Sequence, residues 1–129
     1  MKDFTPYGLI IGVIIILCIG VGQQSYLNSV SQGMVRDVGE AETLFLTGNL
    51  ENTEKKMQEV IKKWKKHEKI LEIIIDHKDV NKISESLTEI DSKIKNFFNS
   101  DNISANFAVL KEYIKNIEEE NEFMINNIL

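Results

Sequence analysis

"VNKISESLTEIDSKIKNF", Val80 to Phe97, carries its apolar residues at Val80, Ile83, Leu87, Ile90, Ile94 and Phe97. The steps run 3-4-3-4-3, the period of a helix that lays one narrow seam lengthwise against other helices. A strand would alternate apolar and polar residues, and this stretch does not. Such a helix cannot bury its seam alone, so the chain must supply partners of the same period.

Partners lie on both sides. Downstream, "NSDN", Asn99 to Asn102, breaks the pattern, which resumes through Ile103, Phe107, Leu110, Ile114 and Ile117 and runs on to Met124 and Ile128. Upstream, Asn49 is placed to cap a long helix whose apolar face is Leu50, Met57, Val60, Ile61, Trp64, Leu71, Ile74 and Ile75. Before it, Leu27, Val30, Met34, Val38, Ala41 and Phe45 recur at steps of three and four until Gly48 supplies a stop. The one proline, Pro6, precedes all of these segments, so nothing interrupts them. The expected fold is all-α: a small antiparallel bundle of three to four helices, with 27–48 as stalk or first helix and 49–129 as the bundle domain.

Two of the segments, "GNLENTEKKMQEVIKKW" and "DNISANFAVLKEYIKNI", align without gaps at an offset of 53 residues. Two units are too few for a solenoid, and one helical period produces the same likeness by convergence. If the two segments lie side by side, Lys62 to Lys66 come near Glu118 to Glu120 and pair with them.

The N-terminus is of another kind. No charged residue occurs from Phe4 to Val35, and "GLIIGVIIILCIGVG", Gly8 to Gly22, is almost wholly aliphatic. Phe4 to Gly22 is 19 residues, about 28 Å as a helix, close to the hydrocarbon thickness of a bilayer. Tyr7 and Tyr26 stand near its two ends, where amphipathic rings favour the headgroup level. Residues 1–26 therefore read as a single transmembrane anchor in the cell membrane. Lys2 and the amino terminus favour a cytoplasmic N-terminus and an extracytoplasmic C-terminal domain. The alternative is a signal peptide cleaved near Gly22, before Gln23, which would release a secreted helical protein. Cys18, the one cysteine, lies inside the span, so there is no internal disulfide and no CxxC site.

Chemistry finds few candidates. "DHKD", Asp76 to Asp79, places a histidine between two aspartates, and His67 lies ten residues earlier. A metal-binding protein or hydrolase would use His67, Asp76, His77 and Asp79, yet a closed site needs more ligands converging than this spacing brings together. A corner accounts for each residue instead: Asp76 as N-cap of the third helix, Asp79 in its first turn against the positive helix end, and His77 beside them. No glycine-framed serine or phosphate loop is present, so the chain reads as non-enzymatic, with no cofactor, no metal and no identified small-molecule substrate. "KKWKKH", Lys62 to His67, is the one basic cluster. Trp64 falls on the apolar stripe and the lysines flank it, and a formal net charge of -5 argues against nucleic acid as a partner. Within the span, Gly8, Gly12 and Gly20 share a face suited to close helix pairing in lipid, with a second copy or another membrane protein.

Trp64, the Asp76-His77 pair, the heptad-like third helix and the closing "NNIL", Asn126 to Leu129, together resemble a family of small single-span, membrane-anchored helical proteins of unknown function from endospore-forming bacteria, the domain of unknown function numbered four-three-six-three. The resemblance implies a tethered helical domain with no known activity. It marks Trp64, His77 and Asn127 as shared positions without giving them a role. The expected function is a membrane-tethered interaction or scaffold module whose partners are the lipid bilayer and a protein or a second copy of the chain.

Overall fold

The computed structural model describes residues 5–96 and 100–128, and the side-chain surroundings of 6–96 and 102–120. Among the described residues the chain forms four helices: α1 Thr5–Leu46, α2 Leu50–Ile74, α3 His77–Lys95 and α4 Ser100–Ile128. Each packs against its neighbour in sequence, and α4 closes the square on α1. Among the described residues the diagonal pairs, α1 with α3 and α2 with α4, make no close backbone approach. This is an up-down-up-down bundle, the arrangement short connections enforce.

The core is the set of seams. Leu27, Val30, Met34, Val38 and Ala41 of α1 meet Met57, Val60, Trp64 and Leu71 of α2, while Val80, Ile83, Leu87, Ile90 and Ile94 of α3 and Ile103, Phe107, Leu110, Ile114 and Ile117 of α4 complete it. Nearly all of these step by three or four residues, which keeps each seam aimed at the bundle axis. Each such aliphatic side chain withdrawn from water contributes about 1.5–3 kcal/mol. Phe97 and Asn99 lie outside the described residues.

The corners are built from local chemistry. Gly48 has φ +82°, its N–H bonds to the Phe45 carbonyl at 3.1 Å, and the Asn49 N–H reaches the Leu44 carbonyl at 3.0 Å. That is a Schellman ending, in which a left-handed glycine lets the last carbonyls of α1 find donors. Asn49 then turns to the next helix, its side-chain oxygen accepting from the Asn52 N–H at 3.3 Å. Asp76 does the same for α3, its carboxylate accepting from the Lys78 N–H at 2.9 Å.

α1 is one continuous helix with two environments. Its C-terminal half is a wall of the bundle. Its N-terminal half projects beyond α2 and α3, and an 18-residue window of mean hydropathy 2.1 has none of its residues buried. By length and composition this helix is able to cross a membrane, and a signal sequence near an N-terminus meets the same description.

Candidate functional site

Polar residues concentrate along the α1–α2 seam and at the end of the bundle nearest the apolar half of α1. In the seam, Asp37 follows Met34 by one turn and so shares the buried face of α1, where it is 4% exposed. Three cations reach it: Lys63 Nζ donates to Oδ2 at 3.2 Å, Arg36 Nε lies 3.5 Å from Oδ1, and Lys56 Nζ lies 3.7 Å from Oδ1. Burial alone would push this carboxyl up, but the Lys63 hydrogen bond and the charges of Lys63, Lys56 and Arg36 outweigh it and hold the group below its ordinary value. Lys56 is in turn pushed up by its hydrogen bond to Glu40, at 2.7 Å, against the opposing effect of burial. A carboxylate kept ionised and fully engaged binds α1 to α2 and is a poor proton acceptor.

One helical stretch further toward the apolar half, the Tyr26 hydroxyl and His67 Nδ1 are 2.7 Å apart, with the rings edge to face at 5.6 Å. A cavity of about 170 Å³ opens beside them, lined by Tyr26, Ser29, Gly33, Arg36, Lys63 and His67. It is smaller than the roughly 300–1,000 Å³ of a typical small-molecule site. Ser31 lies on the other side of α1, 1% exposed, and its hydroxyl donates to the Ile114 carbonyl at 3.2 Å, pinning α4.

The residues singled out by sequence do not assemble into one site. Trp64 is in the core, its Nε1 donating to the Ser84 hydroxyl at 2.8 Å. Ser84 donates onward to Glu68 Oε1 at 3.1 Å. His67 faces Tyr26 across the seam, whereas His77 opens α3 with an exposed side chain 3.8 Å from Glu72 Oε1. Asp76 is occupied as the cap. Asp79, in the first turn of α3, faces Glu120 of α4; the hydrogen bond that the two carboxyls share when one is protonated, then burial and the charges of Asp79 and Asp76, push Glu120 up, opposed by Lys82. Among the described residues no three His, Cys, Asp or Glu side chains converge as a metal site would require. Gly12 and Gly20 face open space, and Gly8 lies on the same projecting half of α1. The side chain of Asn127 lies outside the described ones.

One sequence expectation is corrected. Lys62 to Lys66 do not meet Glu118 to Glu120, because α2 and α4 are diagonal in the square. Lys63 turns instead to Asp37 and Glu59. Sequence reasoning passed over Asp37, although an acidic residue inside the 34-38-41 stripe, matched by lysines on the following helix, is a readable signal. The Tyr26–His67 contact had none, since pairing across helices depends on register.

No curated protein and no solved structure matches the chain. The family described as Domain of unknown function (DUF4363) matches residues 21–128, a range that takes in the bundle half of α1 and all of α2, α3 and α4. A four-helix bundle with corners capped by Asn49 and Asp76, carried on an apolar helix, is thus the form this chain gives to that domain, and the chain belongs to the DUF4363 family.

Proposed function

We propose that the protein is a non-enzymatic, single-pass membrane-tethered module whose bundle stands outside the cytoplasm and engages another membrane or envelope protein. One observation carries the tether: α1 runs unbroken from Thr5 to Leu46, with a strongly apolar, unburied stretch in its first half and its second half built into the core. Leu9, Ile10, Ile11, Ile14 and Ile16 are each more than half exposed, a state that is costly in water and favourable in hydrocarbon. The interaction role rests on what the polar residues do. Asp37 and Trp64 hold helices together and Asp76 caps α3, which leaves the bundle as a rigid body on a tether.

Membrane fractionation with intact-mass measurement tests this reading. The expected result is a protein that stays with the membrane after high-salt washing and keeps residues 1–22. A soluble product beginning at Gln23 would overturn it in favour of a cleaved signal sequence.

A further inference from the structure

The junction of the bundle with the apolar half of α1 has no slack in it, because no linker separates them: α1 is one helix from Thr5 to Leu46. The height of every bundle residue above the end of the apolar run is therefore set by register. Two contacts give that register. The Tyr26–His67 hydrogen bond places His67 of α2 level with Tyr26, and Gln24 Nε2, 3.4 Å from the Glu118 carbonyl, places Glu118 of α4 level with Gln24.

α2 runs antiparallel to α1, so residues after His67 lie progressively further toward the apolar half. At about 1.5 Å of rise per residue, Ile73 is about 9 Å beyond His67, close to the level of Gly20 and Gly22. The α2–α3 corner, Ile75 and Asp76, follows at the same end. α4 also continues on that side to Ile128, about 15 Å past the level of Gln24.

The outward face of α2 changes character along its axis. Away from the apolar half it presents Lys55, Glu59, Lys62 and Lys66, all exposed. Nearest to it, the same face presents Lys69 together with Ile70, 47% exposed, and Ile73, 86% exposed. The core beneath is already closed by Leu71, with Ile74 and Ile75 packed on it, so Ile73 has no partner within the bundle to explain it. Isoleucines at the level where the apolar run begins, with lysines one and two turns above, form the arrangement of a segment seated at a lipid interface, where long cationic stems reach the phosphates and aliphatic groups enter the acyl boundary.

We infer that the end of α2 and the α2–α3 corner, centred on Ile70 and Ile73, form a second membrane contact, seated in the headgroup layer of the same bilayer leaflet from which α1 emerges. This rests on the reading of α1 as a membrane span. Two points of attachment, one through the bilayer and one upon it, hold the bundle upright at a fixed rotation, so that whichever face it offers to a partner is presented in one orientation.

The test uses the full-length chain in phospholipid nanodiscs containing anionic lipid, with Cys18→Ser as background and single cysteines introduced as Ile14→Cys, Ile73→Cys or Lys55→Cys. All three positions are exposed, so the fold is not disturbed. Each carries an environment-sensitive fluorophore, read against a quencher attached high on the lipid acyl chain and against a soluble quencher. The expected result is strong lipid-chain quenching at positions 14 and 73, several-fold above position 55. Quenching at 14 with position 73 as water-accessible as 55 would overturn the corner contact while leaving the span intact. Shielding of 73 from both quenchers would also overturn it, in favour of a second protein chain as occupant. No lipid quenching at 14 would overturn both the span and the contact built on it.

Discussion

The two halves of α1 are the same helix under opposite rules. From Tyr7 to Val21 the large apolar side chains point in every direction and are exposed on all sides; from Leu27 to Ala41 they occupy one stripe and are buried. Backbone geometry is common to both. What differs is the pattern, and pattern alone assigns one half to other helices and the other half to a different solvent. A helix apolar all round has no preferred side to turn toward the bundle axis, whereas a 3-4 stripe fixes which side faces in.

The sharpest way to break that comparison is one truncation in each half. Leu27→Ala removes a side chain that is 0% exposed, next to the α2 and α4 seams, and is expected to cost the bundle about 2–5 kcal/mol. Leu17→Ala, in the projecting half, should leave bundle unfolding unchanged, as followed by thermal denaturation of the full-length protein in nanodiscs. Equal losses would mean that the two halves are not separate environments.

The next effect separates charge from packing in the buried half. Because the Asp37 carboxyl is held below its ordinary value, its contribution to stability is complete above the normal carboxylate range and is lost as pH falls through the lowered folded value. Asp37→Asn should therefore destabilise the bundle near neutral pH, and the gap to the parent should narrow on acidification. A smaller effect than the Leu27 truncation is expected, since Lys63 and Arg36 are partly in solvent and screened. Stability curves of the two proteins that stay parallel from pH 7 to pH 3 would remove the electrostatic account of the α1–α2 seam.

The corner at the far end of α1 offers a backbone test. Gly48→Ala forces a side chain into φ +82° and should cost about 1–2 kcal/mol, although nothing crowds the position. Asp76→Ala, at the opposite end of the bundle, should cost about 0.5–2 kcal/mol, and Asp76→Ser much less, because a side-chain oxygen is kept for the Lys78 N–H. Urea unfolding midpoints of the three variants give the ranking directly.

These corners and stripes were legible in the residues because each is local: a period, a glycine after a stripe, an asparagine or aspartate before one. The bundle and its helix ends followed from them. Partnership across helices was not legible. Period tells which face is buried but not which helix it meets, so a pairing of Lys62 to Lys66 with the α4 acids holds only if α2 and α4 lie side by side, and sequential antiparallel packing puts α4 on the diagonal. Asp37 was legible in part: an acid inside an apolar stripe with lysines on the next helix is a readable signal, but that Lys56 and Lys63 are the two that reach it from α2 depends on register. Trp64 reads as core from its place in the stripe, whereas its link through Ser84 to Glu68 depends on α2–α3 register, which no spacing within one helix encodes.

The smallest expected effect lies where the two halves of α1 meet, at the acidic pair of Asp79 and Glu120. Glu120 is pushed up chiefly through its hydrogen bond with Asp79, so the folded state holds a proton there more tightly than the unfolded chain does. Stability then falls as pH rises from the ordinary glutamate range through the raised folded value, and the penalty is fully present at higher pH. Glu120→Gln removes the repulsion and supplies an amide that can donate to Asp79. At neutral pH the variant should be more stable by about 0.2–1 kcal/mol, discounted to that scale because Glu120 is exposed to solvent. Below the ordinary carboxylate range both proteins carry a neutral group at this position and the difference should vanish. Denaturant unfolding at pH 7 and at pH 3.5 decides it. A variant that is less stable than the parent at pH 7 would show that the pair is a net attraction, and that the end of the bundle beside the apolar half of α1 is held together by the very acids that are expected to push it apart.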